Sequence, residues 1–216
     1  MNYQRLLTEL AQGLLCSVWI FLLTLLFALP LGLGVALCRM SRNAILSWCA
    51  RIYISVLRGT PLMLQLLMVY FGPYYIFRIN IGSSYRFIAV VIAFSINYAA
   101  YFAEIYRAGI ESIPIGQYEA AQVLGYSRFQ TFFKIIMPQV VKRILPPVTN
   151  EVITLVKDTS LAFSLSVAEM FTVAKQWSSA RSSMIPFIIA GVLYYVFNFI
   201  VALLMERCEK SLNYYR

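Results

Sequence analysis

The chain of 216 residues contains no histidine, a single aspartate and no Gly-Lys dipeptide. Without histidine it lacks the commonest metal ligand and the side chain that carries protons near neutral pH. Without Gly-Lys it lacks the phosphate loop G-x-x-x-x-G-K-[ST], so it binds no nucleotide through that motif. No C-x-x-C or metal-ligand spacing relates its four cysteines, and we expect free thiols rather than a disulfide framework. These are Cys16, Cys38, Cys49 and Cys208.

Charge is also scarce, because only 12% of the residues are charged while 61% are apolar and 15% aromatic. A soluble domain does not reach these proportions. Four runs are nearly free of charge and close to or beyond the roughly 20 residues that cross a bilayer. They predict membrane-spanning helices at about 14–37, 59–77, 87–106 and 184–205.

A fifth span is predicted at about 144–167, although it contains the charged stretch "NEVITLVKDTSLAF". Of the 18 Lys and Arg residues, 12 fall in 39–58, 107–143 and 207–216, and this bias predicts that those segments are cytoplasmic. The N-terminus is then outside and the C-terminus cytoplasmic. We read the positive charge as a topology signal and a contact with lipid head groups, not with nucleic acid.

The sequence thus predicts an all-α integral membrane protein that forms a single transmembrane domain of five helices over residues 1–216. Carriers usually build their path between two related halves, and five helices hardly enclose one alone. We therefore expect a symmetric or pseudo-symmetric pair.

The predicted cytoplasmic loop, about 112–139, has the sequence "SIPIGQYEAAQVLGYSRFQTFFKIIMPQ". Between its prolines the pattern is helical, with Gly125 separating two amphipathic pieces. Such a segment either docks in a groove of a partner protein or lies on lipid head groups, and the pattern leaves both open. The apolar positions of the first piece are Ala120, Ala121 and Leu124, and those of the second are Phe129, Phe132, Phe133 and Ile136.

Within this loop, "EAAQVLGYSRFQTFFKIIMP" resembles the signature of binding-protein-dependent ABC importer permeases. That signature begins with E-A-A and continues with G after three intervening residues, I after nine more, and L-P after one more. The matching residues are Glu119, Ala120, Ala121, Gly125, Ile135 and Pro138, with Met137 in place of Leu. "LRGTPLMLQLLMVYFG", "NYAAYFAEIYRAGI" and "LVKDTSLA" are similar to the polar amino acid uptake branch of that family. The resemblance covers roughly residues 10–210.

This resemblance implies a permease like those of type I ABC importers, in a bacterial inner or plasma membrane. The loop would be the coupling helix that docks in a cytoplasmic ATPase subunit, with Glu119 and Gly125 orienting it. The chain itself would be non-catalytic and would bind no cofactor, since ATP and Mg would be held by the ATPase subunits. An extracytoplasmic solute-binding protein would deliver an amino acid, and the second permease would be another copy or a sister chain.

The charged stretch of the fifth predicted span needs its own explanation, since an intramembrane charge costs about 2.5–3.5 kcal/mol even on lenient scales. On a helix, Glu151, Thr154 and Asp158 form one stripe, with Lys157 about 100° away from Asp158. Pro146 and Pro147 predict a break before the stripe.

One interpretation of these charges is structural: Lys157 pairs with an acid such as Glu104, and Asp158 caps a short helix at Thr159 or Ser160. Glu104 and Arg107 are, separately, expected to form a local ion pair.

The alternative is a site for a zwitterion. Lys157 would bind the α-carboxylate together with a helix N-terminus at Asp158–Ser160, and Asp158 would bind the ammonium group. Glu151 would then meet the substrate side chain and favour a cationic one. Gln65 and Asn97 would line the path or bond between helices.

Two functions of other classes stay open from the sequence. An ion-coupled carrier or channel would use the intramembrane acids as proton sites. A membrane anchor subunit would use the docking loop and leave the charges structural.

Overall fold

The computed structural model describes residues 2–212, which fold almost entirely into helices, with no β-strand among them. The α-helices are α1 Tyr3–Arg39, α2 Ala44–Gly59, α3 Leu62–Phe77, α4 Tyr85–Glu111, α5 Ile115–Val123, α6 Arg128–Gln130, α7 Met137–Asp158, α8 Met170–Arg181 and α9 Ile185–Ser211. A π-helical segment, Thr131–Ile136, joins α6 to α7, and a 3₁₀ segment, Thr159–Leu165, follows α7. The predicted all-α fold is confirmed.

Three helices of the described part, α1, α4 and α9, are long and apolar enough to cross a membrane. They contain the predicted spans 14–37, 87–106 and 184–205. Helices α2 and α3 are bent by 111° and together are apolar enough for one further span. The predicted span 59–77 overlaps α3, while 144–167 covers the end of α7 and the 3₁₀ segment.

Helix α2 occupies most of a segment that the charge pattern predicts to be a cytoplasmic loop. The Asn43 side chain caps it by accepting from the backbone N–H of Ile45. The Tyr53 hydroxyl donates to the Ile96 carbonyl over 2.5 Å, which fastens α2 against the middle of α4. Arg58, in the last turn of α2, is therefore held beside a membrane helix.

The centre of the bundle is formed by α1, α4 and α7. Five large side chains of these helices are fully buried, namely Ile20, Phe94, Phe102, Leu155 and Val156, and Leu66 of α3 joins them. In its N-terminal part α1 contacts the start of α8 so closely that a Cβ on Gly13 would lie 2.8 Å from the Cα of Met170. Only a residue without a side chain permits this contact.

The prediction of a break before the charged stripe is wrong, because α7 runs without interruption from Met137 to Asp158 with Pro146 and Pro147 inside it. Each proline removes one backbone donor, but a membrane helix tolerates this loss where neighbouring helices support it. Here Ile144 packs against the cluster formed by Ile113, Ile136 and Val140, and Val148 packs against the central core. Packing on both sides of the prolines keeps the helix continuous.

Candidate functional site

Four of the seven predicted path residues line one cavity of about 240 Å³, which we call the inner cavity. It lies where the junction of α2 and α3 meets α4 and α7. Its walls are Thr60, Leu62, Asn97, Tyr98, Tyr101, Glu151, Thr154 and Asp158. The predicted stripe of Glu151, Thr154 and Asp158 thus faces one space, as its helical spacing requires.

Asp158 is fixed by a neighbour that the sequence interpretation missed. The Tyr98 hydroxyl donates to its carboxylate over 2.7 Å, and the Tyr98 side chain is only 2% exposed. Asp158 also has helical backbone angles, and within the described residues its side chain makes no cap to the 3₁₀ segment. The predictions that Asp158 caps a helix and that a free helix N-terminus faces the solute are therefore wrong, because the chain continues from α7 into the 3₁₀ segment in helical geometry.

Gln65 and Asn97 brace the junction of α2 and α3. The Asn97 amide donates to the Gln65 side-chain oxygen over 2.9 Å and to the Leu57 carbonyl over 3.1 Å. The Gln65 amide also reaches the Leu57 carbonyl, at 2.9 Å, and the Thr60 hydroxyl, at 2.8 Å. These bonds satisfy a carbonyl that the end of α2 leaves without a helical partner. Asn97 bonds between helices and also lines the inner cavity.

Lys157 and Ser160 are not among the residues that line the inner cavity. Lys157 is exposed on another face of α7, and the Ser160 hydroxyl donates to the Lys157 carbonyl over 2.8 Å. Glu104, predicted as one alternative partner of Lys157, pairs instead with Arg107, its expected neighbour, over 2.8 Å. The structure therefore leaves Lys157 off the walls of the inner cavity and unpaired with Glu104.

The cation next to the inner cavity is Arg58. Its guanidinium carbon lies 5.1 Å from the centre of the Tyr101 ring, a cation–π distance. The sequence interpretation missed Arg58 because the charge pattern places it among cytoplasmic loop charges. The signal that could have found it is the apolar spacing of Ile45, Trp48 and Ile52, which is typical of a helix that continues to Arg58.

A second cavity, of about 520 Å³, lies next to the first, and we call it the vestibule. Tyr101 and Glu151 line both cavities. The other walls of the vestibule are Arg58, Glu104, Ile105, Arg107, Ala108, Gly109, Ser112, Arg143, Ile144 and Pro147. Five of these ten residues belong to the half of α4 that leads to the predicted cytoplasmic loop.

The predicted coupling loop forms two short helical pieces, as its pattern indicates. Gly125, between α5 and α6, has φ of +77°, a conformation that favours glycine. Ser127 and Gln130 form a reciprocal capping box at the start of α6. Glu119 and Ala120 are exposed, whereas Ala121 is buried.

The same loop also exposes a group of large apolar side chains, which we call the apolar patch. Val123 is 87% exposed. The whole patch consists of Ile115, Val123, Leu124, Phe129 and Phe133. The predicted apolar faces are thus only partly correct, because Ala121 and Ile136 pack inward while their neighbours point outward. Exposed apolar groups of this size are typical of a surface that another protein covers.

The sequence matches the family described as "Binding-protein-dependent transport system inner membrane component" over residues 28–214. The L-cystine transport system permease protein TcyB of Bacillus subtilis (strain 168) is 36% identical over 208 residues, covering 95% of this chain and 87% of that protein. The arginine transport system permease protein ArtQ of the same organism is 37% identical over 203 residues, covering 94% of this chain and 91% of that protein.

Solved structures are similar over nearly the whole chain. A crystal structure of an amino acid ABC transporter with histidines superposes with a TM-score of 0.88 at 33% identity, covering 97% of both chains. The inward-facing MetNI methionine ABC transporter superposes with a TM-score of 0.75 at 16% identity, covering 99% of both chains, and at that identity shows a shared fold.

Proposed function

The chain belongs to the family of binding-protein-dependent transport system inner membrane components, and we propose from this premise that it forms the translocation path of an ATP-driven importer of polar amino acids. It is a multi-pass inner-membrane protein. The observation that carries the proposal is the inner cavity, where the carboxylates of Glu151 and Asp158 face one space and Arg58 stands beside it. An α-amino acid is a zwitterion and needs both signs of charge within a few ångströms.

The inner cavity suits one small solute. Its volume of about 240 Å³ lies just below the roughly 300–1,000 Å³ of ordinary ligand pockets. We assign the ammonium group to Asp158, whose position Tyr98 fixes. We assign the carboxylate to Arg58, because a guanidinium makes paired, charge-assisted hydrogen bonds to a carboxylate. This assignment replaces Lys157, which lies outside the cavity walls.

The charges around the site favour a substrate with a cationic side chain. The described walls of the inner cavity carry two acids, Glu151 and Asp158, and Arg58 in the adjoining vestibule is the cation beside them. A neutral amino acid would leave one carboxylate unpaired in a partly buried place, which is unfavourable. A cationic side chain would pair with Glu151. The two relatives named above for cystine and arginine differ in substrate, so the proposal rests on the site and not on a relative.

The apolar patch is proposed to dock on a cytoplasmic ATPase subunit, which would hold ATP and Mg. Helical backbone runs without a break from Arg128 in α6, through the π-helical segment, to Asp158 at the end of α7. A displacement of the patch would therefore reach Glu151 and Asp158 through one continuous helix. The remaining proposed partners are an extracytoplasmic solute-binding protein and a second permease, either a copy or a sister chain.

The test of this proposal is amino acid uptake by the purified complex in proteoliposomes. We expect uptake that requires ATP and that fails in Val123→Asp, because an acid cannot replace an apolar anchor in an apolar groove. Folding should not change, since Val123 is exposed. The matched control is Gln122→Asp, which adds the same charge at the adjacent exposed position.

Three results would contradict the proposal. Uptake driven by an ion gradient without ATP would support a carrier or channel instead. A bound ATPase without any uptake would support a membrane anchor subunit. Equal uptake and equal ATPase binding in Val123→Asp and in the control would show that the apolar patch is not the docking surface.

A further inference from the structure

Tyr101 stands at the boundary between two spaces. Together with Glu151 it lines both the inner cavity, of about 240 Å³, and the vestibule, of about 520 Å³. The vestibule leads along α4 toward Ser112 and Arg143, next to the predicted coupling loop. A solute that leaves the inner cavity in this direction must pass the Tyr101 ring.

The Tyr101 ring is held from two sides. The Arg58 guanidinium carbon lies 5.1 Å from its centre, and the Tyr98 ring lies at 6.1 Å with an interplanar angle of 38°. A guanidinium is attracted to the electron-rich face of an aromatic ring. Tyr98 is itself immobilised by its bond to Asp158. The ring is thus clamped by residues that also surround the proposed binding site.

We propose that Tyr101 is the gate between the inner cavity and the cytoplasm, and that Arg58 is the clamp that keeps it closed. The inference rests on the proposed function, because it assigns the release route of a transported solute. A solute carboxylate competes with the ring for Arg58, since a charge-assisted hydrogen bond is the stronger interaction. Binding of the substrate therefore loosens the gate through which the substrate leaves.

The experiment measures access to the inner cavity from the cytoplasmic side, and it needs no substrate. The four native cysteines are replaced, and single cysteines are introduced as Thr154→Cys in the inner cavity or Ala108→Cys in the vestibule. The complete nucleotide-free complex in inside-out membrane vesicles is treated with a membrane-impermeant methanethiosulfonate. Labelling rates are compared with Tyr101 present, in Tyr101→Ala and in Tyr101→Phe.

With Tyr101 present, we expect the cysteine at 154 to react at least about tenfold more slowly than the one at 108. Tyr101→Ala should raise the rate at 154 at least about tenfold and leave the rate at 108 unchanged. Tyr101→Phe, which keeps the ring, should behave as the parent does, whereas Arg58→Gln should raise the rate at 154 in part.

Equal labelling rates at positions 154 and 108 with Tyr101 present would contradict the proposal that Tyr101 is a gate. A labelling rate at position 154 that Tyr101→Ala leaves unchanged would contradict it as well. Because labelling needs no amino acid, a complex that passes this test and imports none would refute the proposed function alone. A complex that imports amino acids and fails the labelling test would refute only the proposal that Tyr101 is a gate.

Discussion

The hydroxyl of Tyr98 donates a hydrogen bond to the carboxylate of Asp158 over 2.7 Å, and so joins the middle of α4 to the last turn of α7. Asp158 is the only aspartate of the chain. Its carboxylate lines the inner cavity, while Tyr98 is buried behind it and just 2% exposed. Tyr98 therefore sets the position of the anion that we assign to the substrate ammonium group.

Tyr98→Phe removes this bond and keeps the ring that fills the space. A hydrogen bond to a charged group contributes about 1.5–3 kcal/mol, and about 1.4 kcal/mol corresponds to a factor of ten. We expect the apparent KM for uptake to rise by about tenfold or more and the Tm of the purified complex to fall as well, because the same bond joins α4 to α7. Tyr106→Phe, the same change at a partly buried position of the same helix, is the control. An equal effect of both substitutions would assign Tyr98 a packing role only.

The two basic residues of the region should differ in their importance for transport. Arg58 borders the cavities, whereas Lys157 is exposed on another face of α7. Replacing one partner of a charge pair costs about 2–5 kcal/mol where the pair is desolvated. We expect Arg58→Gln to lower kcat/KM for uptake by about thirtyfold or more and Lys157→Gln to lower it by less than about threefold, as a surface substitution does.

The measurement is initial-rate uptake at matched amounts of complex, with substrate binding measured in parallel by calorimetry. If Lys157→Gln caused the larger loss, Lys157 would reach the path in the assembled complex, and our assignment of the carboxylate to Arg58 would fail.

The comparison of Arg58 with Lys157 also shows which residues of the site can be predicted from the sequence alone. Helical spacing placed Glu151, Thr154 and Asp158 on one face, because a period of 3.6 residues is local information. It could not identify the cation, since Arg58 reaches the site through the 111° bend between α2 and α3. That bend depends on Gln65 and Asn97, which are 32 residues apart and joined by a hydrogen bond.

Helix α7 illustrates a second limit of the sequence. Local rules for proline predict a break at Pro146 and Pro147, yet contacts with two separate clusters keep the helix intact. Tertiary packing overrides a local preference where the helix is supported on both sides. The predicted coupling loop, in contrast, follows its local signal at Gly125, which ends one helical piece before the next begins.

Glu151 should determine the choice of substrate side chain. In Glu151→Gln the site retains Asp158 for the ammonium group and Arg58 for the carboxylate, so a neutral amino acid keeps both of its partners. An amino acid with a cationic side chain loses the carboxylate that would pair with that side chain. We expect uptake of arginine to fall by about tenfold relative to uptake of glutamine, since one solvent-accessible charge pair near a protein surface contributes on the order of 1 kcal/mol or more. The measurement is competition between the two labelled amino acids.

The control is Glu111→Gln, which removes a carboxylate that pairs with Arg107 at the end of α4. It should leave the ratio of arginine to glutamine uptake unchanged. If Glu151→Gln also left this ratio unchanged, Glu151 would have no contact with the substrate side chain.

The contact between α1 and α8 should be sensitive to a single methyl group. A Cβ on Gly13 would lie 2.8 Å from the Cα and 2.9 Å from the N of Met170, both of them backbone atoms that cannot rotate away. Gly13→Ala must therefore displace the start of α8, and overpacking of this kind costs about 1–3 kcal/mol. The expected result is a lower Tm for the purified complex and faster proteolysis of the α8 region.

Gly34→Ala is the matched control for this change, because Gly34 lies in the same helix and, apart from the neighbouring backbone of α1 itself, no atom of the described residues comes within 4 Å of the Cβ that alanine would add. There the only effect is the better helix propensity of alanine, worth up to about 1 kcal/mol. Gly34→Ala should thus keep or slightly raise the Tm. An equal loss of stability in both variants would mean that α1 tolerates no substitution, while no loss in Gly13→Ala would mean that α8 does not lie this close to α1 in the assembled complex.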